Sequence, residues 1–572
     1  VWKYVSNSLI YRFLIFIYEV VGNAYRNSFL NRCVETVAAW NQHGLLYRTK
    51  QNYISSTPKY SFSVTYRILS FFGKILDRFA GHVNHVYTKA FKNSLFAKTC
   101  RSLLLLWKKI FGRWSGLSCF IILAAVLGVS AYVLPKLVVA GIIGILGLVF
   151  ILRNFERAAY LVAIYPILYF VAGVSNISFL VSLWDELLII FCVGIWFYRW
   201  VADRKDFNFA WTPVDFSLII FFVVCIALFA IGSLKTLGFD SLGFDGLRAV
   251  IEYMFFFFIV VKLLRSEDGA KNLIKLMILT GVVMSLHGIY QYIAKVETPA
   301  YWTDKVEVSS GPRVFSFVGS PNVLGCLLAL VIPLAISLIF SEKDLIQKFL
   351  YTAASGIMGI CILLTGSRSS WIALGCALII YSILSRKYYL IIGLFVVAIL
   401  AYTMVSSVRS RIDYMLDPAY IVSSFTGGRF ARWPKALEMF YNNLLFGEGF
   451  GRFGGSVATI NKVKGAFYVD NYYIKAAVEM GIFGLVTFLA VLYNGVVWSL
   501  RASYKVEDKV SRGLIQSGFG AMVGILVTNV VLNNFDAPSV TTYFWTIAAV
   551  CVFLGYVKKG PNNVLTNISN KQ

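Results

Sequence analysis

The chain has 572 residues, 58% of them hydrophobic and only 14% charged, with a mean hydropathy of +0.71. A soluble fold of that length needs far more polar surface, so the composition excludes one and points to an all-α polytopic membrane protein. The formal charge of +25 would suit nucleic acid, but in a membrane protein Lys and Arg gather in the loops kept in the cytoplasm, and no nucleic-acid partner is expected.

Residues 1–113 form the first region. They carry seventeen Lys and Arg against Glu19, Glu35 and Asp77, interleaved with aromatics as in "YRFLIFIYEVVGNAYRNSFL". Arg12 and Glu19 interrupt that run too early for it to span. It is expected to form amphipathic helices on an anionic inner leaflet, where each cation contributes roughly 1 kcal/mol. No A-x-A-like site follows a clean apolar core, so no signal peptide is expected.

From residue 117 onward the apolar runs are near-continuous over 16 to 23 residues, without the period-two alternation of a barrel. They predict about 14 transmembrane helices (12–14), at 116–134, 137–152, 158–176, 183–201, 214–232, 248–264, 272–293, 321–340, 348–365, 369–385, 388–407, 471–499, 512–533 and 540–557. Eleven fall in 114–407 and three in 471–559, with a polar tail at 560–572. "RNFER", "RWVADRKD", "KLLRSEDGAK", "SRK", "RASYKVEDKVSR" and "KK" (558–559) all fall on one side of this alternation. The positive-inside bias makes that side the cytoplasm, with both termini there, in a multi-pass inner membrane protein. Of the nine cysteines, seven lie in apolar runs, and no CxxC or Cys/His spacing occurs. Neither a disulfide framework nor a zinc site is expected.

The opposite side carries loops at 233–247, 294–320 and 366–368, and the longest at 408–470. That last loop holds Arg409, Arg411, Arg429, Arg432, Lys435, Arg452, Lys462 and Lys464 against five acids. Excess cation on the translocated side runs against the usual bias and asks for an anionic partner.

Four stretches there are candidates for chemistry. "GPRVFSFVGSPNVLG" places Arg313 before a turn that opens a span; Arg313 fits an interfacial anchor as well as a binding residue. "LLTGSRSSWIAL" holds Arg368 between two spans with almost no loop. In "GGRFARWPKALEMFYNNLLFGEGFGRFGG", Arg429 and Arg432 share a helix face at i and i+3, followed by Trp433 and by Pro434, which can begin or bend that helix. These two arginines also fit lipid-headgroup anchors. "VDNYYIKAAVEMGIFGL" puts Asp470 and Asn471 at the mouth of the next span and Glu479 on the order of 13 Å deeper. Asp470 fits a helix N-cap, a catalytic role or both. Glu479 within a span needs a partner, and an outer arginine is one possibility beside a catalytic role.

Three lesser features have simpler readings. Arg248 and Glu252, at i and i+4, are expected to pair, and His287 and Gln291 to serve packing or hydrogen bonding. The run from Gly449 to Gly454 fits GxGxxG, but lies outside any βαβ context, so its glycines are read as turns allowing close backbone approach.

In order and spacing, the Arg-Val…Pro-Asn turn, Thr-Gly-Ser-Arg, Gly-Arg-x-x-x-Trp with Gly-x-Gly-x-Gly, and Asn-Tyr-Tyr…Glu-x-Gly-Ile-x-Gly resemble the O-antigen ligase and polymerase family of the Wzy/WaaL type. The motifs cover about 311–485. The resemblance implies a metal-independent membrane glycosyltransferase with no cofactor, in which a polyprenyl-pyrophosphate-linked oligosaccharide is donor and a glycan is acceptor on the outer face. Membrane lipids, and polysaccharide-assembly proteins, would be its other partners. It implies that Arg368 and Arg429 hold pyrophosphate, with Arg432 beside them. The ligase branch has His-Asn where this chain has Asp470-Asn471, which favours polymerase.

Elementary chemistry agrees with these residue types. A departing pyrophosphate gains negative charge, which planar, permanently charged guanidinium groups stabilise without a metal. The acceptor hydroxyl needs a base, and Asp470 as that base would invert the anomeric centre. Arg432, Arg313, Trp433, Asn471 and Glu479 are the expected supporting binding residues. The alternatives are a ligase that moves a finished glycan to a lipid, wall or protein acceptor, and a glycolipid flippase. No internal repeat of the transporter kind is visible.

Overall fold

The computed structural model describes residues 64–93, 144, 147–151, 153–175, 178–202, 211–235, 239–297, 313–426 and 428–557. Most of the basic region 1–113, the span expected at 116–134 and more than half of that at 137–152 lie outside them, as does the tail. Among the described residues the fold is all-helical; the only β feature is an isolated bridge between Gly454 and Tyr468. Among the described residues, nine helices are long and apolar enough to cross a membrane, or up to eleven counting two bent pairs.

In chain order, α1 (Val64–Asn93) precedes a span broken by 70° between Phe155–Ala163 and Tyr165–Val174. Then come α2 (Ser178–Ala202), α3 (Asp215–Lys235), α4 (Ser241–Ile251), α5 (Phe255–Leu263) and α6 (Glu267–Ile293). The span expected at 248–264 is therefore carried by short helices, with a 3-10 turn at Glu252–Met254 between α4 and α5. Next are α7 (Pro321–Ser341), α8 (Leu345–Leu364), α9 (Arg368–Ser385) and α10 (Tyr389–Met404). The chain bends by 99° from α10 into the long loop. That loop holds α11 (Ser406–Leu416), α12 (Pro418–Thr426), α13 (Arg429–Asn442) and α14 (Ser456–Ile460). Pro434 lies inside α13 rather than at its start. The chain closes with α15 (Tyr472–Lys505), α16 (Lys509–Thr528) and α17 (Pro538–Val552).

α7 and α17 form the centre and are buried along most of their length. α16 packs against α9 through Gly520 and Gly524. A Cβ at either would stand 2.3–2.6 Å from the Ala377 or Ala373 carbonyl oxygen, so only glycine permits this approach.

The basic loops meet on one face. Glu156 accepts hydrogen bonds from the Arg265 and Ser266 amides at 2.8–2.9 Å, and Arg199 donates to the Leu263 carbonyl. Lys271 pairs with Asp508 at 3.0 Å. The long loop caps the other face, where Arg452 pairs with Asp240 at 2.7 Å and Asn533 donates to the Gly454 carbonyl.

α15 is interrupted at Gly481, whose φ of 62° leaves the helical region. The break orphans carbonyl groups in an apolar setting, where each needs a donor. Loop residues 444–449 supply them. The Glu448 amide donates to Val478 O (2.8 Å) and Gly449 to Glu479 O (3.1 Å), while Ile482 donates back to Leu444 O (2.8 Å). A Cβ on Gly447 would lie 2.5 Å from Glu479 O; within the run from Gly449 to Gly454, a Cβ on Gly451 would lie 2.7 Å from Leu242 O, so that run also serves close backbone approach. This lacing fixes the long loop to the helix that follows Asp470 and Asn471.

Candidate functional site

The site is assembled where α13 crosses the start of α15. α13 begins with Arg429, and its Trp433 indole donates to the Val469 carbonyl at 3.1 Å. Ala436, Phe453, Val469 and Val478 bury themselves in a small core of their own, with Trp433, Phe440 and Ile474 around it. That core orients α13 so that both arginines, one turn apart, face residues 468–470.

Arg432 Nη2 stands 3.0 Å from Asp470 Oδ2, and Arg429 Nε 3.7 Å from the same oxygen. Arg432 also donates to the Tyr468 and Gly428 carbonyls, which pins its guanidinium. Asp470 has a left-handed backbone with φ of 50°, a conformation that Asp and Asn tolerate best among side-chain-bearing residues. The Asp470 side chain is 21% exposed and the two arginines about a third, so the cluster is open to a ligand.

Asp470 is not the helix cap. Asn471 is: its Oδ1 accepts from the Tyr473 and Ile474 amides at 3.0 and 3.1 Å. The cap is thus left to Asn471, and the Asp470 carboxylate faces the two arginines.

Near the cluster lies a groove of about 490 Å³, lined by Leu437, Phe440, Tyr473, Ile474, Leu489 and Leu526 among others, and by Asn471, the neighbour of Asp470 in the chain. Its wall is nearly all hydrocarbon and aromatic.

Glu479 is not paired with an outer arginine. It is buried beside Lys475 (3.4 Å) and accepts from the Phe453 amide at 3.1 Å. Lys475 in turn holds Asp536 at 2.7 Å. Sequence reasoning missed this triad, although the i and i+4 spacing of Lys475 and Glu479 was a local signal for half of it. It ties the long loop, α15 and the turn before α17 together, a bracing role.

A second group of arginines surrounds the Thr365–Arg368 turn. Arg313 is buried rather than anchored in an interface: it donates to the Thr365 carbonyl and to Asn322 Oδ1, both at 2.9 Å. Arg368 opens α9 and stacks over Tyr420 at 5.0 Å. Arg411, which the sequence marks only as one cation among eight, is buried against Gly366, where a Cβ would lie 2.5 Å from its Nε. Gly366 meets this with a φ of 61°. No described hydrogen bond or ion pair joins this group directly to Asp470.

Three acids lie within metal-ligand spacing of one another: Asp185, Glu186 and Glu252. Arg248 bridges all three at 2.6–3.2 Å, so the expected Arg248–Glu252 pair is part of a larger ionic cluster. Gln291 accepts from the Phe315 and Ser316 amides, and His287 stacks on Phe317 at 4.3 Å, which are packing and hydrogen-bonding roles as expected.

Residues 353–489 match the family model described as Wzy_C, O-antigen ligase. The matched stretch runs from α8 through the break in α15, and so contains Arg368, Arg429, Arg432 and Asp470. It agrees with the resemblance carried by the motifs. No curated protein matches the chain.

Proposed function

We propose that this protein is a membrane glycosyltransferase that polymerises polyprenyl-pyrophosphate-linked oligosaccharide repeats on the outer face of the cytoplasmic membrane. One observation carries the reading: two guanidinium groups closed on a single carboxylate, next in the chain to Asn471, which lines an apolar groove. The family match is consistent with chemistry on lipid-linked glycans.

In this reading Asp470 occupies the anion site until the donor arrives. The polyprenyl chain lies in the groove, and the pyrophosphate, with more charge and more acceptor oxygens than a carboxylate, takes over Arg429 and Arg432. The Asp470 carboxylate is then free to receive a proton. The acceptor hydroxyl oxygen attacks the anomeric carbon of the donor sugar while its proton passes to Asp470. The bond from that carbon to the pyrophosphate oxygen breaks, and the charge left on pyrophosphate rests on the guanidiniums. Attack opposite the leaving group inverts the anomeric centre. Arg368 supports the donor from the neighbouring turn, and Arg313, braced within the protein, holds that turn in place.

The test is reconstitution in liposomes with a synthetic polyprenyl-pyrophosphate repeat and no energy source. Longer lipid-linked chains and released polyprenyl pyrophosphate are the expected products. Transfer solely onto an added lipid or wall acceptor would assign a ligase instead. Translocation of the glycolipid without any new glycosidic bond would overturn the enzymatic reading.

A further inference from the structure

Helix α1 presents a surface that the catalytic reading does not use. It is 30 residues long, and at 100° per residue its side chains divide into three stripes. Gly73 and Asp77 face the protein, with Ser70 and Gly81 partly covered on the same side. Ile68, Phe71, Phe72, Ile75, Leu76 and Phe79 face away from it and are exposed, Phe71 by 62%. Arg67, Lys74 and Arg78 stand along one border between the two. Within its full length α1 has five cations against the one acid, Asp77.

The helix has a fixed height relative to the bundle. The Trp200 indole donates to Asp77 Oδ1 at 2.9 Å, and Val83 packs against the pair Trp200 and Val201. Trp196 and Trp200 stack at 5.4 Å in the last turns of α2, beside Arg199 and on the face where the basic loops meet. Tryptophans at the end of a membrane helix, next to basic residues, mark the boundary between hydrocarbon and headgroups. α1 is therefore attached at that boundary, with an apolar stripe turned outward and cations along its edge.

We infer that α1 is an interfacial helix that docks on the anionic lipid surface of the leaflet facing the basic loops. Phe71, Phe72, Ile75 and Phe79 enter the headgroup–acyl boundary, while Arg67, Lys74 and Arg78 meet lipid phosphates. The Asp77–Trp200 bond joins this anchor to the bundle. The choice of lipid over a second protein rests on the match between a basic border and an anionic surface, at the level the tryptophan pair sets.

Spin labels placed on the full chain in a cysteine-free background test this. Phe72→Cys and Lys74→Cys are exposed positions whose replacement leaves the packed face intact. In phosphatidylcholine–phosphatidylglycerol liposomes, a label at 72 should collide several-fold more with oxygen than with a water-soluble nickel chelate. A label at 74 should show the reverse. With phosphatidylcholine alone, or with Arg67, Lys74 and Arg78 all changed to Glu, the preference at 72 should fall several-fold. Nickel access at 72 equal to that at 74 in every lipid would place the face in water and overturn the inference. Shielding of 72 from both reagents would mean that protein covers it, and would overturn it equally.

Discussion

Replacing Asp470 by Asn separates the base from everything else the residue does. The side chain keeps its size, and Asn accepts the left-handed backbone that this position requires (φ 50°). The helix cap is untouched because Asn471 makes it. What is lost from the fold is two ion pairs, at 3.0 and 3.7 Å, between side chains a fifth to a third exposed. Such pairs are screened, and their loss costs roughly 0.5–1 kcal/mol, too little to unfold the protein. A positioned general base is worth about 10²–10⁴ in rate, or about 3–5 kcal/mol of barrier. The variant should therefore melt within a few degrees of the parent and lose at least about 100-fold in kcat. Donor KM should hold or fall, since pyrophosphate no longer competes with a carboxylate for Arg429 and Arg432. The assay is chain growth on a lipid-linked repeat in liposomes, resolved by size, beside thermal unfolding in detergent. A kcat within about tenfold of the parent would refute the assignment of Asp470 as base, whatever happened to KM.

Arg432→Ala removes the best-placed guanidinium and should cost about 10²–10³ in turnover, with Arg432→Lys a poor rescue because an ammonium lacks the planar fork; steady-state kinetics reads both. Asn471→Ala leaves the Tyr473 and Ile474 amides uncapped and should lower stability by about 1 kcal/mol, while Asn471→Asp keeps the cap; thermal unfolding compares them. Lys475→Met strands two buried carboxylates, Asp536 and Glu479, and should destabilise by about 3–5 kcal/mol, with Asp536→Asn added to it recovering part of the loss in folded yield. Burial alone would raise the Asp508 carboxyl, but the Ser511 amide and the Lys271 ammonium hold it below the usual carboxylate range. A depressed carboxylate stabilises the fold above its unfolded value, near pH 4, and loses that contribution as pH falls through the folded one. Asp508→Asn should accordingly melt earlier than the parent at neutral pH, and the gap should close as the pH is taken below about 4.

Local signals were enough for the framework. Apart from the broken span at 248–264, apolar run lengths placed the helices from 181 onward to within about six residues, because a helix in hydrocarbon must satisfy its own backbone and bury a run of fixed length. The spacing of Arg429 and Arg432 put them on one face, since three residues make nearly one turn. The glycines from 449 to 454 announced close backbone approach, and that is how Gly451 is used.

What the sequence by itself determined was the all-helical membrane architecture, the gathering of basic loops on one face, and a cationic long loop on the other. Each follows from composition or from spacing of a few residues. Only the tertiary structure decided that Asp470 closes the arginine pair while Asn471 caps the helix. It also decided that Arg411 returns to Gly366, that Glu479 belongs with Lys475 and Asp536, and that residues 444–449 fill the break at Gly481. The physical reason is common to the last two. A buried charge or an orphaned carbonyl must find a partner, and nearby spacing does not say which distant part of the chain will deliver it. Asp536, 61 residues beyond Lys475, leaves no periodic trace of that meeting.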